Sequence, residues 1–153
     1  MKQIVIQLIT GMLGALGFAL LFGLKKKYFL NAALGGLLCC GVYQAGMLAF
    51  ENIFLACLAA SVFCALYSEI SARIKKAPAA LFFIPSVIPL VPGGSLYYAC
   101  SNAVVRNWSD AEFYLKSTLQ YAVAIAAGAC IVWAIMLTVE KVKSNAANNR
   151  KSR

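Results

Sequence analysis

The chain has 153 residues, of which 62% are apolar and only 12% are charged, and its mean hydropathy is +0.78. This composition excludes an ordinary soluble domain and predicts an integral membrane protein. The net charge of +9 does not call for a nucleic acid partner, because basic residues that flank membrane helices lie beside anionic lipid headgroups.

Five apolar runs follow one another along the chain, and each is long enough to cross a membrane. A bilayer core of about 30 Å requires about 20 apolar residues per helix. The predicted fold class is therefore all-α, with five transmembrane helices. The first run ends at three lysines and not at a small-residue cleavage site, so we expect it to remain as a helix. The runs cover residues 3–24, 28–50, 52–72, 77–105 and 117–139.

The distribution of lysine and arginine predicts the orientation. With five crossings, the basic clusters at 25–27, 73–76 and 141–153 share one side of the membrane and hold 11 of the 14 basic residues. Because such residues are retained in the cytoplasm, the N-terminus is expected outside and the C-terminus inside. We therefore divide the chain into a membrane domain, residues 1–143, and a basic, disordered cytoplasmic tail, residues 144–153.

Cysteine and other small residues suggest helix packing and not chemistry. All six cysteines fall in apolar runs, no CxxC pair occurs, and the chain contains no histidine, so no metal or cofactor site is predicted. With only five carboxylates as well, acid–base catalysis has no residues to use, and the chain is not expected to be an enzyme. On the fifth run, Ala122, Ala126 and Cys130 share a face that suits close helix contact.

Prolines set the fourth run apart from the others. Within "IPSVIPLVPGGSLYY", residues 84–98, three prolines each remove a backbone donor. The carbonyl groups of Leu81, Pro85 and Ile88 are therefore expected to lack their helical partners, which is costly in lipid. Such a backbone persists at membrane depth only where protein covers it or water reaches it. The run predicts a broken span that forms a site.

A second half-helix is expected to begin near Ser95, whose hydroxyl would cap it. Free amides and partial positive charge at its start favour a carboxylate. Tyr97 and Ser101 are four residues apart and can face the break together, although anchoring at the membrane interface is an alternative for the tyrosine. The predicted substrate-binding residues are Pro85, Ser86, Pro89, Pro92, Gly93, Gly94, Ser95, Tyr97 and Ser101.

Glu69 is the only carboxylate well within a predicted span, which makes it the candidate for carrying a coupling proton. Arg73 lies four residues further on, so an ordinary ion pair between the two is the alternative. The segment between the fourth and fifth runs, residues 106–116, mixes aromatic and charged side chains. It predicts an amphipathic loop at the outer interface.

The segment "PAALFFIPSVIPLVPGGSLYYA", residues 78–99, resembles the second membrane module of the threonine/serine exporter family. It is especially similar to the short form in which the two modules are separate subunits, as in the small subunit of two-component succinate exporters. The motif carries over to Pro85, Pro89, Pro92, Gly93 and Tyr97. The resemblance implies a bacterial plasma membrane exporter of amino acids such as threonine and serine, or of dicarboxylates such as succinate. It also implies a larger partner subunit that carries the other module.

The small size of the chain independently favours a partner. Five helices are too few both to enclose a binding site and to open it in turn to each side of the membrane. A homo-oligomer of this chain is the alternative assembly. The alternative function is a non-transporting membrane scaffold or assembly factor, in which the prolines only shape the bundle.

Overall fold

A computed structural model describes the backbone of residues 2–151 and the side chains of residues 4–142. The described chain is helical throughout and contains no strand. In order, the helices are α1 (Lys2–Leu21), α2 (Lys26–Phe50), α3 (Ile53–Lys75), α4 (Ala80–Val87), α5 (Gly93–Val104) and α6 (Trp108–Lys151), and a 3-10 turn, Ile88–Leu90, follows α4.

Five membrane crossings are consistent with these helices, so the predicted fold is confirmed. Four helices, α1, α2, α3 and α6, are each long and apolar enough to span a bilayer. The fifth crossing is the pair formed by α4 with its 3-10 turn and α5, whose axes meet at 50°. The predicted break in the fourth span is therefore present.

Helix α6 differs from the prediction at both ends. It begins at Trp108, so most of the expected loop over residues 106–116 is helix that runs without interruption into the last span. The candidate membrane span of this helix lies within Trp108–Val142. At the other end the helical backbone continues to Lys151, through residues predicted as a disordered tail. The side chains of that tail lie outside the described residues, and its cytoplasmic location stays a prediction.

Two residues join α2 to α3 in a tight antiparallel turn. Glu51 ends α2 in the left-handed conformation, with φ of 49°, and its amide donates to the carbonyl of Met47. The Asn52 side chain then caps α3 by accepting from the amides of Phe54 and Leu55 at 2.9 and 3.3 Å. Such a short connection makes the two helices neighbours along their whole length.

The helices are arranged around α3. It packs against α2 on one side and α6 on the other, while α1 packs on the outer side of α2. Helix α4 lies over α1, α2 and α3, and α5 lies on α6. The sulfhydryl of Cys57 and the hydroxyl of Ser61 contact the carbonyls of Tyr121 and Ile125, 64 residues further on in both cases. This constant offset shows that α3 and α6 run parallel.

Close approach of the helices depends on small residues. A Cβ atom placed on Gly36 would lie 2.5 Å from Ala15 Cβ, and one on Gly128 would lie 2.7 Å from Ser61 Cβ. These contacts allow the backbones of α1 and α2, and of α3 and α6, to meet. The predicted contact face of the last span is wrong, because Ala122, Ala126 and Cys130 are exposed. The buried residues of this helix lie on a different face. They are Ala124, Gly128, Ala129 and Val132.

The basic clusters at 25–27 and 73–76 lie together at one end of the bundle. Tyr28, just after the three lysines, packs edge-on against Phe82 of α4 with ring centroids 5.4 Å apart, and Ala72 joins the same apolar cluster. The Arg73 guanidinium contacts the Glu140 carboxylate of α6 at 3.3 Å. We call this the basic end. That it faces the cytoplasm stays a prediction from charge.

Candidate functional site

The broken span changes course over five residues. Helix α4 ends at Val87, the 3-10 turn carries Pro89 near its start, and Val91 is extended with φ of −63° and ψ of 125°. Pro92 then occupies the N-cap of α5. Proline is tolerated at the first positions of a helix because an amide there has no helical acceptor. The second and third prolines thus end one helix and start the next.

The start of α5 offers free amide donors. The amide of Gly93 donates to the Val91 carbonyl at 2.8 Å, and that of Leu96 donates to the Pro92 carbonyl at 3.0 Å. The amides of Gly94 and Ser95 have no acceptor within the described part of the chain. Two donors therefore remain at the positive end of the helix dipole, where a carboxylate binds favourably.

Two details of the sequence prediction are wrong here. The helix begins at Gly93 and not near Ser95, and no side chain caps it. The carbonyl of Ile88 is not orphaned, because it accepts from the amide of Val91 at 3.0 Å inside the 3-10 turn. In an α-helix the carbonyl of Ile88 would accept from residue 92, which is a proline and has no amide hydrogen. In a 3-10 turn the donor is residue 91 instead, so the carbonyl has a partner.

A cleft of about 380 Å³ lies beside the break, between α1, α2 and α6. We call it the central cleft. Neither Gly93 nor Gly94 has an atom within 4 Å of the position of an added Cβ, so both glycines open into free space. None of the described side chains that line the cleft is charged. The lining side chains outside the broken span are Gln7, Thr10, Gly11, Gly14, Cys40, Tyr43, Gln44 and Tyr121.

Two polar pairs bridge helices across the central cleft. The Gln44 carboxamide of α2 donates to the Gln7 carboxamide of α1. The hydroxyl groups of Tyr43 and Tyr121 share a hydrogen bond of 2.5 Å between α2 and α6. Sequence reasoning missed all four residues because it looked for carboxylates. The available signal was a glutamine within each of two apolar spans, since a polar side chain there is costly and marks function.

Comparison with known protein families identifies the family of this chain. The family described as threonine/serine exporter, ThrE, matches residues 7–135. The chain belongs to the threonine/serine exporter family. No curated protein and no solved structure matches it. The matched range contains every residue that lines the central cleft. As a threonine/serine exporter family member with five apolar crossings, the protein is a multi-pass membrane protein with an exporter role.

The structure separates the predicted substrate-binding residues of this threonine/serine exporter family member into two groups. Those at the break line the central cleft, namely Pro89, Pro92, Gly93, Gly94 and Ser95. The other four lie outside its lining. Pro85 and Ser86 are buried in α4 against the rest of the bundle. Tyr97 and Ser101 lie on exposed parts of α5, and Tyr97 packs edge-on against Tyr98 with ring centroids 5.5 Å apart.

Glu69 lies away from the central cleft, at a second cleft of about 450 Å³ at the basic end. The predicted ion pair between Glu69 and Arg73 is wrong, because the guanidinium of Arg73 contacts Glu140 at 3.3 Å and the sulfur of Met136 at 3.7 Å. No ion pair of Glu69 occurs among the side chains of residues 4–142. Helix α6 supplies the nearer carboxylate because it runs parallel to α3 and brings Glu140 beside the last turn of α3.

Proposed function

We propose that this exporter moves small zwitterionic amino acids and that the central cleft binds them. The observation that carries the proposal is the pair of free amides at Gly94 and Ser95 in a cleft whose described side chains are uncharged. One carboxylate finds donors at the start of α5. A second negative charge would enter a site with no cation to offset its desolvation, which disfavours a dicarboxylate.

The polar pairs supply what the rest of an amino acid requires. A carboxamide carries two donors and an oxygen with two lone pairs, so Gln7 and Gln44 keep unused positions after bonding to each other. The hydroxyl groups of Tyr43 and Tyr121 likewise keep lone pairs. These oxygens can accept hydrogen bonds from the ammonium and hydroxyl groups of a substrate such as threonine or serine.

Exchange in membrane vesicles tests the substrate class. Vesicles that contain the chain with its proposed partner are loaded with unlabelled threonine, and uptake of labelled threonine is followed. We expect serine to compete and succinate not to compete at neutral pH. Exchange of labelled succinate in vesicles loaded with succinate, without exchange of threonine, would show that the substrate is a dicarboxylate and not an amino acid. Absence of exchange of either solute class would favour the scaffold function.

A matched pair of glycine variants tests the location of the site. Gly94→Leu fills free space in the central cleft and is expected to lower exchange by about tenfold or more. Gly17→Leu also enters free space, on α1, but outside the lining of the cleft, and should transport like the parent. Both variants suit an apolar span, so equal amounts in the membrane are expected. Equal transport by the two variants would refute a site at the start of α5.

A larger subunit with the complementary membrane module is the proposed partner. Helix α5 packs chiefly on α6, and Ala99 is its only buried residue, whereas Tyr97 and Ser101 face outward. Polar groups at membrane depth are stable when a protein neighbour covers them. Ser101→Cys should therefore form a crosslink to the co-expressed larger subunit. A crosslink only between two copies of this chain would support a homo-oligomer instead.

Glu69 remains the proposed coupling residue, since it is half-buried and its neighbour Arg73 is held by Glu140. Glu69→Gln keeps the size of the side chain but not the titrating group. We expect it to abolish accumulation of amino acid against a gradient while downhill exchange continues. Normal accumulation by this variant would exclude Glu69 from coupling.

A further inference from the structure

A buried hydroxyl in α4 has no hydrogen-bond partner. Ser86 has no exposed surface, and its Oγ is the one side-chain oxygen or nitrogen among the described residues that is both buried and unpaired. Leaving such a group unpaired costs about 1–3 kcal/mol. Packing does not require the hydroxyl, because alanine would fill the site without this cost.

Ser86 is one member of a row of polar side chains, in which the serines are buried and Tyr67 is half-buried. Its Oγ lies 2.0 Å from where a Cβ on Gly35 of α2 would stand, and the Tyr67 ring of α3 lies 2.9 Å from the same point. The Tyr67 hydroxyl donates to the Asn31 carbonyl at 2.8 Å, closer to the basic end. Ser86 and Tyr67 therefore occupy one layer, between α2, α3 and α4.

The row continues along the face of α3 that meets α4. The sulfur of Cys64 marks this face, because it lies 4.0 Å from the carbonyl of Phe83. Ser68 and Ser71 follow four and seven residues later, which places them on the same side of the helix, and both are buried. We call Tyr67, Ser68, Ser71 and Ser86 the polar seam.

The polar seam lies between the two clefts. At its upper end Ser86 stands three residues before Pro89, which lines the central cleft. At its lower end Ser71 is followed by Ala72, which lines the second cleft with Glu69 and Arg73. In this structure α4 packs against α2 and α3 at the seam, so packed side chains separate the two clefts.

We propose that the polar seam is the closed half of the transport route, and that movement of α4 away from α2 and α3 opens it to the basic end. Water that enters would then satisfy the hydroxyl of Ser86, which favours the open state. Substrate would pass between the central cleft and the basic end along hydroxyl groups and not along lipid. This inference rests on the proposed function, because it assigns a path to the solute that the central cleft binds.

Thiol labelling in vesicles tests the route. Ser71→Cys and Ser86→Cys are made in the full chain with its partner, and a membrane-impermeant thiosulfonate reagent is added to either face. Ser61→Cys is the matched control. Ser61 is equally buried on α3, but it lies beyond the seam, farther from the basic end, and its hydroxyl bonds to the Ile125 carbonyl of α6. The parent already carries six cysteines, so the measured quantity is labelling gained over the parent.

We expect both seam variants to react from the face at the basic end at least about tenfold faster than Ser61→Cys. Reaction at position 86 should also stop amino acid exchange. If neither seam variant reacts faster than the control, the route is wrong. Should Ser86→Cys fail to reach the membrane, Ser68→Cys replaces it under the same criterion.

The two proposals fail in different ways. Labelling does not depend on which solute is carried. If the seam is labelled fast but the parent does not exchange amino acids, the proposed substrate class is wrong and the proposed route stands. If the parent exchanges amino acids but the seam variants are not labelled faster than the control, the proposed route is wrong and the proposed substrate class stands.

Discussion

The two halves of the broken span share one sequence motif but lie in very different surroundings. Five of the eight residues of α4 are buried, including Phe82 and Ser86, and the helix contacts α1, α2 and α3. Helix α5 has a single buried residue, Ala99, and packs chiefly on α6. The first half is therefore part of the core, whereas the second half is a surface element that carries the free amides.

This contrast assigns different tasks to the two halves. Substitutions in α4 should act through stability and through the opening of the polar seam. Substitutions in α5 should act through substrate binding and partner contacts, with little effect on stability. Three predictions test or sharpen this contrast, in order of decreasing effect.

The largest effect is expected for Phe82→Ala in α4. The Phe82 ring is fully buried and packs against Tyr28, so its removal leaves a cavity. We expect the free energy of unfolding in detergent to fall by about 3–5 kcal/mol. Tyr97→Ala in α5 removes an equally large ring that is 67% exposed, and should cost less than about 1 kcal/mol. Similar losses for the two variants would contradict the contrast.

An intermediate effect is expected for Gly35→Ala. The new methyl group would stand 2.0 Å from Ser86 Oγ, which forces α4 away from α2. We expect a loss of about 1–3 kcal/mol in the free energy of unfolding. Adding Ser86→Gly removes the two Ser86 atoms of the clash and leaves the Tyr67 ring at 2.9 Å, so it should recover part of this loss. A double variant no more stable than Gly35→Ala alone would show that the clash is relieved elsewhere.

The smallest effect is expected for Glu140→Gln at the basic end. The side chains of Arg73 and Glu140 are 49% and 62% exposed, so solvent screens their ion pair. The free energy of unfolding should change by less than about 1 kcal/mol, and thermal unfolding in low and high salt should give nearly the same difference. A larger, salt-sensitive loss would show that this ion pair holds α6 to α3 more strongly than its exposure indicates.

Most of the fold could be predicted from the sequence, because membrane helices are specified by apolar length and charge. The five runs and the break in the fourth follow from such local rules. The contact face of the last span could not be found in this way. Ala122 and Ala126 have the spacing of a contact face, but Ala124 and Gly128 have it too, and only the position of Ser61 on α3 decides between them.

The site was predicted less completely. Pro92, Gly93 and Gly94 were found because a broken backbone is visible in one segment of sequence. Gln7 and Gln44 lie 37 residues apart and meet only because α1 and α2 pack together. Such a pairing depends on how each helix is rotated about its own axis. The sequence does not determine this rotation when apolar residues cover every face of the helix.

Helix α6 is longer than the membrane core. The part Trp108–Val142 covers 35 residues, or about 52 Å, whereas a hydrocarbon core is about 30 Å thick. Its first turns carry Asp110, Glu112 and Lys116, so the excess length extends past the hydrocarbon core into the interface. Because α5 packs chiefly on α6, the depth of α5 in the membrane follows the depth at which these charged turns place α6.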